Sequence, residues 1–167
     1  MEQFLEMLKK IKVIVSEVEG TITEGLISYD ELGNTPFKYF CIKDFEAINE
    51  IKKEFIFVFL STDNSISYHL CRRKNIPFYW APKDKKRELL KILQRYEVSP
   101  EEVLYIGYSY SDIECMQMIP LSICPEDAVS SIKNIAYRMF YSISGTGVLS
   151  ELYEILKPEI LRRKQCL

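Results

Sequence analysis

Two acids, Glu17 and Glu19, stand two residues apart in Ser16-Glu17-Val18-Glu19-Gly20-Thr21-Ile22-Thr23, directly after the apolar run Val13-Ile14-Val15. Where a strand opens into a loop, acids at i and i+2 followed by glycine both face the same crevice. Carboxylates so placed are what nucleophilic and acid–base chemistry require. Three further groups follow apolar runs in the same way. Ser61-Thr62-Asp63-Asn64 follows Phe55 to Leu60, and Gly107-Tyr108-Ser109-Tyr110-Ser111-Asp112 follows Val103 to Ile106. Lys85 opens a helical stretch shortly after Trp80. Each residue also has an ordinary structural reading. Glu17 and Glu19 could be polar strand ends, Lys85 a solvated helix lysine, Asp112 a helix cap, Ser61 a hydrogen-bonding serine, and Tyr108 and Tyr110 packing groups.

The elements that must position these residues are legible as patterns. Val13–Val15, Phe55–Leu60, Val103–Ile106 and Leu121–Cys124 are apolar runs without alternation, as buried parallel strands require. Lys83 to Tyr96 carries Leu89, Ile92, Leu93 and Tyr96 at i, i+3, i+4 and i+7, a one-faced helical stripe. Ser99-Pro100-Glu101-Glu102 combines a cap residue, a first-turn proline and an acid three residues on, so a short helical turn is predicted before the Val103 strand. Alternating strands and helices imply right-handed crossovers and an α/β, doubly wound, Rossmann-like parallel sheet. Ligands of such sheets bind at the carboxyl ends of the strands, where the four groups lie. The stretch 25–40, GLISYDELGNTPFKYF, breaks the rhythm and is predicted to be a β-hairpin flap. No large cap domain is expected.

A chain of 167 residues, 47% hydrophobic and 28% charged, suits one folded domain over 1–167. Residues 157–167, with Arg162-Arg163-Lys164, are expected to form a loose tail. The net charge of −2 offers no electrostatic attraction to nucleic acid or an anionic membrane. The first ten residues carry Glu2 and Glu6 and read as an amphipathic helix, with Phe4, Leu5 and Leu8 on one side, not as a signal peptide or membrane span. Five scattered cysteines without a C-x-x-C pair read as reduced thiols of a cytoplasmic protein. His69, the single histidine, has no nearby ligand partner, which argues against zinc or a His-based triad.

Taken in order, these motifs resemble the haloacid dehalogenase superfamily. More narrowly, they resemble phosphatases of 3-deoxy-manno-octulosonate 8-phosphate and of nonulosonate 9-phosphates, over about Lys12 to Lys157. The family's D-x-D-G-x-x-T stands here as Glu17-Val18-Glu19-Gly20-Thr21-Ile22-Thr23. The resemblance makes Glu17 the match to the nucleophile and magnesium ligand. Glu19 matches the general acid/base and a backbone metal ligand. Ser61 and Thr62 fall at the phosphate-binding strand end, and Lys85 at the third-motif lysine. The fourth motif, G-D-D-x-x-D, keeps only Gly107 and Asp112, with Tyr108 and Ser109 in place of its acids. Lys43-Asp44 and Ser144-Gly145-Thr146-Gly147 also match, although arginines usual after Ser61 and in the last motif are absent.

These departures bear on mechanism. Each aspartate-to-glutamate change moves a carboxylate by about 1 Å, and misplacements of that order can cost about 100-fold. A phenol at 108 is a poor substitute for a magnesium-ligating acid. The expectation is therefore a sugar-acid phosphatase homologue that is impaired or inactive. It would be kept for binding a small sugar acid or for assembly, and could be a partner of an active phosphatase. No cofactor is expected. The alternative is an active phosphohydrolase with magnesium in a rearranged site of Glu17, the Glu19 backbone and Asp112. Tyr108 is expected within a few ångströms of the first-strand loop, bonded to Glu17 or Glu19. The resemblance also implies a homotetramer joined through the 25–40 segment, which presents Leu26, Ile27, Phe37 and Phe40.

Overall fold

The computed structural model describes residues 2–63 and 66–165. Six strands form one parallel sheet: β1 (Val13–Ser16), β2 (Ile56–Ser61), β3 (Phe78–Trp80), β4 (Val103–Ile106), β5 (Leu121–Cys124) and β6 (Arg138–Met139). Their spatial order is β3-β2-β1-β4-β5-β6, so the order reverses between β1 and β4. In-register pairing sets Ser16 beside both Phe59 and Ile106, and Ser61 beside Trp80, which aligns the carboxyl ends of four strands. The four apolar runs predicted as strands are strands. The short, half-exposed β3 and β6 carry too little apolar signal to announce themselves.

The unbroken apolar runs are explained by two separate cores. Ile14, Phe57, Phe59, Leu104 and Ile106 pack on one face with Phe45, Ile48, Leu149 and Leu152. Val13, Val15, Val58, Leu60 and Tyr105 pack on the other with Leu89, Ile92 and Cys115. Alternate residues of one strand thus serve opposite cores, and both sets must be apolar. The first face is covered by α2 (Ile42–Ile51) and α7 (Val148–Gln165), and α1 (Glu2–Lys10) inserts Phe4 and Leu8 into the same core. Leu5, read as part of that apolar side, is exposed. The second face carries α4 (Lys85–Tyr96), α5 (Ile113–Met118) and α6 (Ser130–Lys133). The remaining helix, α3 (Ile66–Arg73), joins β2 to β3. The predicted turn before β4 is a short 3-10 turn, Pro100–Glu102, and the Glu102 carboxylate accepts a bond from the Ser99 amide at 2.9 Å. None of the described helices is long and apolar enough to cross a membrane.

Two expectations need correction. Residues 25–40 make the predicted reversal, but their arms do not pair as strands. The turn is held by the Asp30 carboxylate, which accepts from the Leu32 and Asn34 amides at 2.9 and 2.8 Å. Phe40, expected on the outer surface, is half-buried against Phe45. Residues 157–165 are not loose. They complete α7, with Leu156 and Ile160 in the core. The basic run clamps the helix to the body: Arg162 and Arg163 pair with Glu159, and Arg163 donates to the Ile11 carbonyl at 2.7 Å. Bonding from Arg162 holds the Glu159 carboxyl below the usual range, against an opposing push from burial. Cys166 and the other end of the expected tail, Leu167, lie outside the described residues. A docked helix end makes a quantitative difference: Ile160→Ala should lower unfolding stability by about 2–4 kcal/mol in a urea titration. A loose tail would give a change within about 0.5 kcal/mol.

Candidate functional site

Loops at the carboxyl ends of β1, β2 and β4 and the start of α4 converge on one buried centre. The Glu17 amide extends the sheet ladder to the Ile106 carbonyl at 3.0 Å, which fixes where its side chain enters. The chain then turns: the Thr21 hydroxyl and the Ile22 amide bond back to the Val18 carbonyl, both at 3.2 Å. The segment 144–147 braces this turn from outside. The Ser144 hydroxyl donates to the Gly20 carbonyl at 2.8 Å, and the Gly145 amide to the Thr21 carbonyl at 2.9 Å.

Lys85 is the first residue of α4, and Asp84 caps that helix by accepting the Arg87 amide at 2.8 Å. The Lys85 ammonium runs inward. It bonds Glu17 Oε2 and Asp112 Oδ1, the latter at 2.6 Å. Glu17 is only 2% exposed, and Lys85 and Asp112 are buried as well. The other Glu17 oxygen accepts the Val18 amide at 2.9 Å. Asp112 accepts four bonds. Lys85 and the Tyr105 hydroxyl, at 2.8 Å, reach Oδ1; the amides of Tyr108 and Ser109, both at 3.0 Å, reach Oδ2. Burial and then the Asp112 charge push the Tyr105 phenol well above its ordinary pKa, so it remains a donor. Burial likewise raises the neighbouring Cys115 thiol to about 12, and it is inert as a nucleophile.

A second cluster lies beside the first. Ser61 Oγ donates to Glu19 Oε2 at 2.5 Å, and the Asp63 amide donates back to Ser61 Oγ at 3.1 Å. Glu19 Oε1 accepts from Lys38 Nζ at 2.7 Å and from Ser67 Oγ at 3.0 Å. Lys38 also pairs with Asp63. Burial works to lower the Lys38 pKa, but its bonds to Asp63 and Glu19 outweigh that and hold it above the usual lysine value. Together the two clusters join four carboxylates to two ammonium groups, leaving two negative charges in excess.

The structure therefore brings Glu17, Glu19, Ser61, Lys85 and Asp112 together, as expected. Lys85 is not solvated, and Asp112 is both an ion-pair partner and the acceptor that shapes its own loop. Thr62 has an exposed side chain, and its carbonyl accepts the Trp80 indole at 3.0 Å. It lines a cleft of about 440 Å³ together with Lys85, Lys83, Lys86, Tyr110 and Ser111. Tyr108 lies on the first-strand loop as expected. Gly20 has φ +79°, and a Cβ there would come within 2.0 Å of the Tyr108 ring. The expected bond from its hydroxyl to Glu17 or Glu19 does not form; the ring packs on Gly20 and Gly25. Lys38, Ser67 and Tyr105 were not foreseen. Lys38 is a lone lysine in a β-prone arm, and nothing local marks it.

These donors can be tested against a magnesium ion, which demands about six oxygens in near-octahedral array. Among the described residues no three His, Cys, Asp or Glu side chains are set to hold a metal. The Asp112 oxygens are saturated, both Glu17 oxygens are bonded, and an ammonium lies between the two carboxylates. The arrangement does not fit the ion.

Residues 6–152 match the haloacid dehalogenase-like hydrolase family. The chain belongs to that family. It is 25% identical to N-acylneuraminate cytidylyltransferase A of Danio rerio over 86% of its length, and spans 34% of that relative. It is 23% identical to the 3-deoxy-D-manno-octulosonate 8-phosphate phosphatase of Haemophilus influenzae, covering 90% of this chain and 85% of the relative. The corresponding Moraxella catarrhalis phosphatase, solved with magnesium, phosphate and 3-deoxy-D-manno-octulosonate, superposes with a TM-score of 0.87 at 19% identity, covering 94% of this chain and 92% of that one. The fold of this family member is thus shared with these phosphatases.

The buried triad has a measurable consequence. Removing one partner of a buried ion pair strands the remaining charge. Lys85→Met should therefore destabilise the protein by about 3–5 kcal/mol in denaturant titrations. A surface lysine would cost close to nothing.

Proposed function

We propose that this haloacid dehalogenase-like chain does not hydrolyse phosphate esters and serves as a binding or assembly domain. The observation that supports this most directly is the Lys85 ammonium between Glu17 and Asp112. A Glu17 oxygen held by that ammonium is a weakened nucleophile. Phosphoryl transfer depends on a positioned carboxylate, a cation to neutralise developing charge and an acid/base group. Here the lysine's charge is already spent on two carboxylates. Glu19 is tied down by Ser61, Ser67 and Lys38. The two excess negative charges repel a phosphate dianion.

The relatives point to the chemistry of a ligand. One is named for an N-acylneuraminate and another for a deoxy-octulosonate phosphate, both sugar acids. In this reading the chain binds a sugar acid or joins an assembly as a non-hydrolysing partner. The exposed Leu26, Ile27 and Phe37 of the 25–40 segment support a homotetramer joined there. An active phosphohydrolase remains the competing reading, favoured by the convergence of Glu17, Ser61, Lys85 and Asp112 at one strand edge. The two are separated by phosphate release from a panel of sugar-acid phosphates with magnesium present. The expected outcome is no turnover above background. Robust magnesium-dependent release, abolished by Glu17→Ala, would establish the competing reading.

A further inference from the structure

The two edges of the sheet are not alike. The chain leaving β6 is closed by Glu151, whose carboxylate accepts the Tyr141 and Ser142 amides at 3.1 and 2.8 Å. At the other edge β3 is the last strand, and no strand of the described residues pairs with its outer side. The Pro77 carbonyl accepts from the Phe59 amide at 2.9 Å, and the Ala81 amide donates to the Ser61 carbonyl at 2.8 Å, so both face β2. Backbone groups alternate along a strand, so those of Phe78 and Trp80 face away from β2. Natural edges are commonly guarded by charged side chains. Phe78-Tyr79-Trp80 carries none, and Pro77 and Pro82 bracket the open edge to a short length.

A cavity of about 320 Å³ opens beside this edge. It lies at the amino-terminal end of β3, where Asn75, Ile76 and Pro77 line it, and so away from Glu17 and Lys85 at the carboxyl ends. Tyr68 and Phe78 wall it, their rings meeting edge to face at 5.8 Å. Arg72, from the last turn of α3, lines it too. Among the described residues neither its guanidinium nor that of Arg73 makes a hydrogen bond or ion pair, and both side chains are exposed. Residues 66–82 carry these two arginines and Lys74 and no acid, in a chain of net charge −2. The free guanidinium suits a carboxylate, the aromatic walls an apolar side chain, and the open edge another main chain. An acidic extended peptide offers all three.

We propose that β3 is a docking edge: an acidic extended segment of a partner protein adds to it as a further strand, sets a carboxylate against Arg72 and places an apolar side chain between Tyr68 and Phe78. Main-chain pairing supplies affinity, while the cavity and the arginine select the sequence. This names a partner for the binding or assembly reading. It uses none of the residues around Glu17 and Lys85, so peptide binding and the absence of phosphate release stand or fall separately.

A phage-displayed library of random linear peptides, selected on the intact protein, tests this. Enriched peptides should share an acid close to a bulky apolar residue. A synthetic copy should change the fluorescence of Trp80, the chain's only tryptophan, on β3 itself. It should bind the exposed-site variant Arg72→Glu at least about tenfold more weakly. Exchanging the peptide's acid for lysine should restore binding to Arg72→Glu. N-methylation should abolish binding at alternate peptide residues and be tolerated between them, the period of an added strand. The proposal is overturned if no peptide is enriched, if enriched peptides bind Arg72→Glu as well as wild type, or if polyglutamate binds equally well. Binding indifferent to N-methylation at every residue would also overturn it.

Discussion

The Lys85 ammonium, shared between Glu17 and Asp112, is the interaction on which the rest of the site depends. Three charges out of water are costly, and their attraction compensates only when every remaining lone pair is also satisfied. The fold meets that condition from three directions. The helix α4 supplies the lysine from its first turn, β4 supplies the Tyr105 hydroxyl from below, and the loop after β4 supplies the amides of Tyr108 and Ser109. Asp112 is consequently preorganised for an ammonium and not for a metal ion.

Around that triad the other departures become consistent with one another. With no acid at 108, the position is free to carry an aromatic ring, and Gly20 and Gly25 leave room for it to lie flat on the first-strand loop. With Glu17 committed to Lys85, Glu19 is left to a separate cluster, where Ser61, Ser67 and Lys38 saturate it. The glutamate carboxylates reach Lys85 from Glu17, and Ser61, Ser67 and Lys38 from Glu19. The result is a strand-end site whose carboxylates are each paired within the chain, on a sheet of the family's fold.

Much of this was legible in the sequence, for identifiable reasons. Strands buried on both faces must be apolar throughout, so β1, β2, β4 and β5 stand out. The edge strands β3 and β6, with Tyr79, Trp80, Arg138 and Met139 partly exposed, do not. Motif spacing located Glu17, Glu19, Ser61, Lys85 and Asp112, because each follows a strand or opens a helix on the same sheet edge. Lys38 stayed hidden because its role arises from tertiary placement: an unpaired loop carries it back over residues 19 and 63. The 25–40 arms are β-prone in composition, yet one side chain aimed inward holds them without a strand ladder. The C-terminal residues differ from the expected tail because the Arg162-Arg163-Lys164 run resembles a loose end. In the folded chain those arginines find Glu159 and the Ile11 carbonyl, and Leu156 and Ile160 complete the core.

The central claim, that Glu17 and Asp112 are committed to Lys85 and leave no place for a divalent cation, is tested most directly by magnesium binding. Calorimetric titration should be accompanied by thermal unfolding at millimolar magnesium. An ion bound at 100 times its Kd would add about 2.7 kcal/mol of stability. The account predicts no saturable heat and an unchanged melting temperature. Saturable binding that raises the melting temperature and disappears in Glu17→Gln would contradict it.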